Sequence, residues 1–258
     1  MPHFFLAPGS IQGDAVTITG TLARHLAGPL RHRAGDRITV VDEGGRRYRI
    51  DLVDASTQRI GGRVVESLAD EATPALRVTL AHAILKGDHM DVVLQKATEI
   101  GVHRIVPLIT QRTVVRPKHD RVSRQIERWR AIALEAAQQS ERLTIPNVED
   151  AQPLTEWLRS GSGNHPQRWL LGERETRHYF RTELSRHAPA TEVTLVVGPE
   201  GGFDPEEVGL ARAAGFVVVS LGRTILRAET AGVAALTILQ YAWGTLGGPQ
   251  PRAEHAHG

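Results

Sequence analysis

Cysteine is absent from this sequence of 258 residues, and no long apolar run occurs in it. Without cysteine, the chain can form no disulfide, no thiolate nucleophile and no cysteine-ligated zinc site. No stretch approaches the roughly 18–20 apolar residues that a membrane-spanning helix needs. Residues 1–6 also lack the basic region and long apolar core of a signal peptide. We therefore expect a cytoplasmic protein that does not associate with a membrane.

Lysine is scarce as well, since it occurs only at Lys86, Lys96 and Lys118. The isoelectric point of about 9.3 accompanies a net charge of only +2, because few groups titrate just above neutrality. The arginines are unevenly spread: residues 101–142 hold nine Lys or Arg against four Asp or Glu, whereas residues 1–72 hold nine of each. Clustered arginine suits contacts with phosphate groups, and a solvated helix face is the alternative interpretation.

Several sequence signatures of enzymes are missing. The chain has no GxSxG, no HExxH, no GxGxxG and no GxxxxGK[ST], which argues against common hydrolases, zinc peptidases, dinucleotide-binding domains and P-loop proteins. No spacing typical of metal ligands occurs, so we expect no metal. His82 and His103 lie in apolar segments and are expected in the core or at its rim. Asp88 and Asp91 are interpreted as helix-capping residues.

The fold class predicted from the pattern of elements is α/β with a small N-terminal β-barrel. Residues 36–54 predict a hairpin that turns at 43–45, and residues 59–68 predict a further strand. Residues 69–75 resemble a linker. From residue 76 onward, apolar strands alternate with helical segments, which indicates a largely parallel sheet. Residues 246–258 are predicted to be a disordered tail.

Helix limits are marked by local signals in the second region. Asp204-Pro-Glu-Glu207 combines an N-cap residue, proline at the first helical position and glutamate at the third. Gly101 and Gly215 mark helix ends. Residues 122–136 carry an apolar stripe at helical spacing, and residues 228–243 predict a mostly apolar, buried helix.

Three predicted strands each end in a glycine that follows apolar residues: at Leu171-Gly172, at Gly198 and at Leu221-Gly222. Ligands of open α/β sheets bind at the carboxyl ends of strands, and glycine lets backbone groups approach a ligand closely. Together these ends predict a site for a nucleoside-like ligand. Arg227 and Glu229, near the next helix start, could bind an anion or orient a substrate, and a surface ion pair is the alternative.

Four longer segments together resemble a known family: "LVVGPEGGF" (195–203), "LGRTILRAETA" (221–231), "LQKATEIGVHRIVPLITQRTVV" (94–115) and "AAQQSERLTIPNV" (136–148). They are similar to the RsmE family, the bacterial 16S rRNA (uracil-N3) methyltransferases of the SPOUT superfamily. Residues 25–48 resemble that family's PUA-like RNA-binding barrel. The chain departs from the family pattern at His3, Gln111, Gln138 and Arg223-Thr224.

The resemblance implies a PUA-like β-barrel over residues 1–70 and a SPOUT methyltransferase domain with a trefoil knot over residues 71–245. It also implies a homodimer in which S-adenosyl-L-methionine (SAM) is held in the knot. The implied reaction is methylation of N3 of one uridine, position 1498 by the resemblance, in the 16S rRNA of the small ribosomal subunit.

For that reaction we hypothesise residue roles, because N3 must lose its proton and the developing negative charge must be stabilised. Arg227 would stabilise the uracil oxygens, and Glu200 or Glu229 would orient it or relay the proton. Turn anchoring by Glu200 and complementation of the helix dipole by Glu229 are the structural alternatives. Arginines that we expect to contact RNA phosphates are Arg31, Arg33, Arg112 and Arg116. The implied cofactor-binding residues are Leu171, Gly172, Gly198, Pro199, Glu200, Gly201, Gly202, Leu221, Gly222, Ile225, Leu226 and Arg227.

Two other functions remain open on the sequence. The first is a SPOUT methyltransferase that acts on another RNA or on a ribose 2′-hydroxyl. The second is a non-catalytic RNA-binding or ribosome-assembly factor that has kept the fold without the activity.

Overall fold

The computed structural model describes residues 2–68, 76–114, 119–161 and 163–248, with the side chains of 119–121 left aside. The chain divides into two compact units: unit 1 comprises residues 1–73 and 134–145, and unit 2 comprises residues 74–133 and 146–258. The predicted linker at 69–75 lies outside the described residues, as does the predicted tail from residue 249 onward. The predicted domain limits at residues 70 and 245 stay predictions.

Unit 1 is built on one sheet with the strand order β1-β4-β5-β6-β3-β2. The predicted hairpin is confirmed, because β4 and β5 are antiparallel and Val41 pairs with Arg47 across the turn. The strands and helix of the unit are β1 (His3–Phe5), β2 (Ile11–Gln12), β3 (Ala15–Thr19), α1 (Gly20–Ala27), β4 (Arg37–Val41), β5 (Arg47–Ala55) and β6 (Arg59–Ser67).

Helix α1 corrects the expectation of strands and turns alone for this region. It follows β3 directly through Gly20, whose φ of 69° changes the chain direction. Its Ala23 and Leu26 are buried against Ile18, Ile38 and other apolar side chains of the sheet. The pairing of α1 with the sheet therefore comes from burial of two side chains. Closure of the sheet into a barrel stays a prediction.

Unit 2 contains the parallel sheet that the sequence predicted, with the order β10-β8-β7-β12-β11-β13 and with β9 beside β8. Its strands are β7 (Arg77–Ala83), β8 (Arg104–Ile109), β9 (Asn147–Val148), β10 (Gln152–Pro153), β11 (Gln167–Leu171), β12 (Glu192–Val197) and β13 (Val217–Val219). The helices that alternate with them are α2 (His89–Ile100), α3 (His119–Gln139), α4 (Leu154–Ser160), α5 (Phe180–Arg186), α6 (Pro205–Ala213) and α7 (Ala228–Ala242).

Both faces of this sheet are covered, as parallel sheets require. Leu195 and Val197 of β12 belong to the apolar cluster that includes α2, α3 and α7. Val196, which points to the opposite face, belongs to the cluster with α4 and α6. Because successive side chains alternate in this way, β12 is buried on both sides and forms a rigid base for the loop after it.

The structure contains the helix limits that the sequence predicted for α2 and α6, with one exception in the capping contacts. Asp204 caps α6 in a complete capping box with Glu207, and Gly101 ends α2 with a left-handed φ of 101°. Asp88 stands at the N-cap position of α2, but its side chain makes no capping hydrogen bond. Asp91 forms an ion pair with Arg128 instead. The N-cap position predicted for Asp88 is therefore confirmed, and Asp91 stands in the first turn of α2, so the structure corrects only the expectation of a capping hydrogen bond from the Asp88 side chain.

Within the ranges that the structure describes, no helix is both long enough and apolar enough to cross a membrane.

Candidate active site

A cavity of about 740 Å³ opens at the carboxyl ends of β11, β12 and β13, and the start of α7 forms a further wall. Three loops surround it: the loops after β11 and after β12, and the connection from β13 to α7. Its lining residues are His89, Leu171, Gly172, Glu173, Arg174, Val197, Gly198, Pro199, Glu200, Gly201, Gly202, Val219, Ser220, Leu221, Thr224, Ile225, Leu226, Arg227, Ala228, Glu229 and Ala231.

The structure brings the predicted cofactor-binding residues together around this cavity, with one exception. Gly222 does not line it and instead lines a second, shallower depression beside it. The predicted catalytic residues Arg227, Glu200 and Glu229 all line the cavity. These residues come from parts of the chain that are up to 58 positions apart in sequence (229 − 171). The parallel sheet brings them together, because its strands end at one edge.

The turn between β12 and α6 is held from two sides. Within the turn, the buried Glu207 accepts a hydrogen bond from the backbone N–H of Asp204 at 3.0 Å. From the β8 side, Glu207 accepts the backbone N–H of Gln111 at 2.8 Å. Arg112 donates to the carbonyl oxygen of Gly201 at 2.9 Å and lies 3.5 Å from the Asp204 carboxylate. The segment after β8 thus fixes the glycine turn that walls the cavity.

The glycines at the strand ends are explained by protein packing more than by the cavity. A Cβ on Gly172 would lie 2.7 Å from Cγ1 of the buried Val218. A Cβ on Gly198 would lie 3.0 Å from the ring of Phe203. We expected these glycines to let the backbone approach a ligand. The structure adds a second reason, because neighbouring side chains already fill the space that a Cβ would take, and close approach of a ligand to these glycines stays a prediction.

Arg227 and Glu229 stand at the first turn of α7 but do not pair with each other. Glu229 Oε1 lies 2.9 Å from Nδ1 of His89, the first residue of α2, and the Glu229 side chain is only 14% exposed. The Arg227 side chain is exposed, and no described group forms an ion pair with it. The surface ion pair considered for Arg227 and Glu229 is therefore absent from the described part of the chain.

Glu200 is connected to a different strand. Its Oε1 accepts a hydrogen bond from the backbone N–H of Lys86, which follows β7, at 3.1 Å. This contact joins the loops after β7 and β12, two neighbouring strands. It favours the structural role that the sequence left open for Glu200, the anchoring of the turn.

His82 lies at the end of β7, fully buried below the start of α7. Its Nδ1 lies 2.7 Å from the Ala83 carbonyl oxygen and its Nε2 lies 3.2 Å from the Ala228 carbonyl oxygen. Burial lowers the pKa of His82, although the two carbonyl contacts and the nearby charges of Glu229 and Glu200 act in the opposite direction.

A pH-dependent stability follows from His82. Because its pKa is lower in the folded chain than in the unfolded chain, the unfolded chain binds the extra proton first. The neutral, buried His82 therefore contributes to the free energy of unfolding. We expect this contribution to be complete above about pH 6.5, the ordinary histidine pKa, and to be lost as the pH falls below that value. Thermal unfolding of the wild-type protein should therefore lose more stability between about pH 7.5 and about pH 5 than that of His82→Gln. Equal losses would contradict this assignment.

The predicted RNA contacts are not equally available. Arg31 and Arg33 of unit 1 are exposed, and Arg31 has a left-handed φ of 57°. Arg112 is exposed but already holds the turn after β12. Arg116 lies outside the described residues. The basic segment 101–142 is partly neutralised, since its ion pairs include Arg104–Glu149, Arg112–Asp204, Arg128–Asp91 and Arg130–Asp150.

Some cavity residues gave no usable signal in the sequence. His89 is the first residue of α2, and Glu173 and Arg174 stand in a polar turn, where charged residues are common. Glu173 and Arg174 follow Gly172 directly, so the expectation that a ligand binds at the carboxyl ends of the strands could have included these two residues. In the described ranges, no group of three or more His, Asp or Glu side chains could hold a metal ion. The expectation of a metal-free site stays a prediction.

The comparisons with known proteins agree with this geometry. A family model described as an RNA methyltransferase domain matches residues 72–240, more than half of the chain. The chain is 35% identical to ribosomal RNA small subunit methyltransferase E of Synechocystis sp. over 90% of this chain and 74% of the relative. It is 29% identical to the protein of the same name from Bacillus subtilis, over 93% and 94% of the two chains.

A solved structure of a relative contains a bound ligand. The ribosomal RNA small subunit methyltransferase E of Neisseria gonorrhoeae, crystallised with bound SAM, superposes with a TM-score of 0.81 at 31% identity, over 95% of this chain and 99% of that one. The match to the family model and the identity to these relatives point to the same family. The chain belongs to the RNA methyltransferase family, among relatives named ribosomal RNA small subunit methyltransferase E.

Proposed function

We propose that this protein methylates N3 of one uridine in the 16S rRNA of the small ribosomal subunit, with SAM as the methyl donor. The observation that carries the proposal is the cavity at the three strand ends, in a chain of the RNA methyltransferase family. Because the proposed substrate is ribosomal RNA, we place the protein in the cytoplasm.

The residues of the cavity fit SAM. Its volume of about 740 Å³ is within the range of small-molecule sites. Leu171, Val197 and Leu226 offer apolar walls for an adenine ring, and the loop backbones offer hydrogen-bonding groups at its edge. The carboxylates of Glu173 and Glu200 suit the positive charges of SAM. When bound, SAM supplies a methyl group carried on a positively charged sulfur.

Arg227 is the residue that we propose to stabilise the uracil. Removal of the N3 proton leaves negative charge that spreads to the two neighbouring oxygens of the base. A guanidinium stays protonated and presents several N–H donors in one plane, so it stabilises such charge but does not act as a base. Arg227 lines the cavity, and no described group competes for it. Its place at the N-terminus of α7, which packs on β12 and β7, fixes its backbone.

His89 and Glu229 form the pair that we propose to take the proton. When Nδ1–H of His89 donates to Glu229, the lone pair of the neutral ring lies on Nε2. That nitrogen can accept the N3 proton and release it to solvent, because the His89 side chain is 47% exposed. In this arrangement Glu229 orients the His89 ring, which acts as the general base. Glu200, which holds the Lys86 backbone, serves as an anchor of the turn.

Two experiments separate this function from the alternatives. Calorimetry with SAM tests the non-catalytic RNA-binding or assembly factor, because that alternative predicts no cofactor binding. Mass spectrometry of nucleosides from methylated RNA tests the target atom, because methyl groups on the base and on the ribose separate into different fragments. SAM binding together with a methyl group on the uracil base supports the proposal, and a methyl group on the ribose overturns it.

Unit 1 is proposed to be the PUA-like barrel that binds RNA phosphates, through Arg31 and Arg33. We expect Arg31→Glu with Arg33→Glu to weaken binding to small-subunit RNA and to reduce the slope of log affinity against log salt by about 1 per lost contact. Arg63→Glu, at another exposed arginine of unit 1, is the matched control. Unchanged affinity and salt slope in the double variant would refute these contacts. Arg116 is proposed as a further contact.

The trefoil knot is proposed for the C-terminal part of the chain. β13 lies at the edge of the sheet beside β11, whereas α7, eight residues beyond β13, packs on β12 and β7. The connection therefore crosses the exit of β11, where residues 172–179 also pass. Backbone hydrogen bonds join the two segments, from Phe180 N to Ser220 O at 2.9 Å and from Ser220 N to His178 O at 2.8 Å. An experimental backbone trace without a threaded chain would contradict this proposal.

The family resemblance also leads us to propose a homodimer. Ile238 and Tyr241 of α7 are 38% and 71% exposed, and Val92 of α2, the helix beside it, is 43% exposed. Apolar side chains on two adjacent helices are typical of a protein interface. Light scattering should give the mass of a dimer for the wild-type protein and of a monomer for Tyr241→Asp, whereas Leu210→Asp on α6 should leave the dimer intact. A wild-type monomer would refute the proposal.

A further inference from the structure

A second depression lies next to the cavity, and no role is yet assigned to it. It has a volume of about 380 Å³ and shares Ser220 and Leu221 with the cavity. Its other lining residues are Tyr179, Arg181, Thr182, Gly222 and Arg223. A ligand that occupies both spaces would therefore pass over the residues 220–221 that separate them.

Tyr179 gives the depression an aromatic side chain on a fixed backbone. The side chain is 39% exposed, in a chain with only three tyrosines. Its backbone pairs with Ser220 in a parallel bridge, and two hydrogen bonds flank that bridge. An exposed ring on a fixed backbone is suited to stacking against a nucleobase, which depends little on base identity.

Arg181 and Arg223 add positive charge without partners in the described part of the chain. Two carboxylates of the same segment of the chain, Glu175 and Glu183, are already engaged by other groups. Glu183 is bonded to Arg186 at 2.8 Å, and Glu175 accepts the Arg177 backbone N–H at 2.7 Å. The Glu175 pKa is lowered, first by that backbone hydrogen bond. The two guanidinium groups of the depression thus remain available to bind a phosphate.

Gly222 leaves the floor of the depression open. Its φ is 148°, which favours glycine, and nothing lies within 4 Å of the position of a Cβ. The Ser220 hydroxyl holds this conformation, because it accepts from Gly222 N at 3.2 Å and donates to Gly222 O at 2.9 Å. Unlike Gly172 and Gly198, Gly222 is therefore not explained by protein packing, and the open space beside it is free for a ligand.

We propose that this depression binds an unpaired nucleotide next to the target uridine, with its base on Tyr179 and its phosphate on Arg181 and Arg223. The proposal rests on the proposed RNA methyltransferase function and adds a second binding site for the same RNA strand. A target base that leaves the helical stack exposes its neighbours, and a site for one neighbour would hold the strand while the uracil enters the cavity.

The test measures methyl transfer to small ribosomal subunits that lack the modification. In Tyr179→Leu and in Arg181→Glu we expect KM for the subunit to rise about tenfold, with kcat and the SAM dissociation constant within about twofold of wild type. Tyr179→Phe keeps the ring and should keep the wild-type KM. Arg159→Glu, at an exposed arginine of α4 and with the same change in charge, is the matched control.

Photocrosslinking gives a second measurement that does not depend on turnover. Subunit RNA irradiated with the wild-type protein should crosslink to the peptide that contains Tyr179. If the wild-type protein methylates RNA but both variants keep the wild-type KM, or the crosslinks map elsewhere, the second site is refuted and the proposed function stands. If the wild-type protein binds SAM but methylates no RNA, the proposed function fails and this site fails with it.

Discussion

Arg227→Ala should lower kcat for methyl transfer by about 10²–10³-fold, the usual cost of removing one donor that stabilises developing negative charge. The physical reason is that Arg227 is the cavity arginine at the N-terminus of α7, with no described partner that would hold it away from the substrate. We expect the SAM dissociation constant to change little. Single-turnover kinetics together with calorimetry measure the two quantities separately.

Two further variants make this experiment specific. Arg227→Lys keeps the positive charge but loses the planar set of donors, so its kcat should lie between those of the wild type and of Arg227→Ala. Arg159→Ala removes an exposed arginine from α4 and should leave kcat unchanged. Wild-type turnover by Arg227→Ala, with intact cofactor binding, would remove Arg227 from the mechanism.

Gly172→Ala is the second substitution from which we expect a large effect. The new Cβ would lie 2.7 Å from Cγ1 of Val218, a buried β-branched side chain that cannot rotate away easily. Gly172 N also donates to the Val219 carbonyl oxygen at 2.9 Å, which joins β11 to β13 at the wall of the cavity. We expect a loss of about 1–3 kcal/mol in the free energy of unfolding and at least about tenfold weaker SAM binding.

A double variant tests that explanation. Val218→Ala removes the methyl group that the new Cβ would meet, so Gly172→Ala with Val218→Ala should recover most of the SAM affinity that Gly172→Ala loses. Gly209→Ala is the matched control, because nothing lies within 4 Å of its Cβ position in α6. It should stabilise the protein by about 0.5–1 kcal/mol. Equal losses in the single and double variants would show that the contact with Val218 is not the cause.

Local patterns were sufficient to predict the elements that wall the cavity. The apolar strand that ends at Gly198 and the capping box at Asp204 depend on neighbours in sequence, and the structure contains both, with the strand buried on its two faces. The segments around Gly172 and Gly198 could be predicted to lie together for a similar reason, because the carboxyl ends of parallel strands meet at one edge of a sheet. The short helices α1, α4 and α5 were not predicted, because helices of seven or eight residues carry few periods of an apolar pattern.

Contacts between distant residues could not be predicted. The bond from His89 to Glu229 joins positions 140 apart, and that from Arg112 to Gly201 joins positions 89 apart. No local pattern encodes such pairs, because tertiary packing decides them. The same holds for the reason that Gly172 is glycine, since Val218 is close to it only in the folded sheet. The trefoil knot was likewise predicted only from the family resemblance, because no local sequence pattern encodes a threaded chain.

The most direct test of the proposed function uses SAM with a deuterated methyl group and small ribosomal subunits that lack the modification. After incubation with this protein, mass spectrometry of the RNA fragments and nucleosides should find one labelled methyl group, on N3 of a single uridine in 16S rRNA. Free 16S rRNA in a parallel reaction shows whether the assembled subunit is required. Absence of label from both RNAs, or label on a ribose or on another base, would contradict the proposed function.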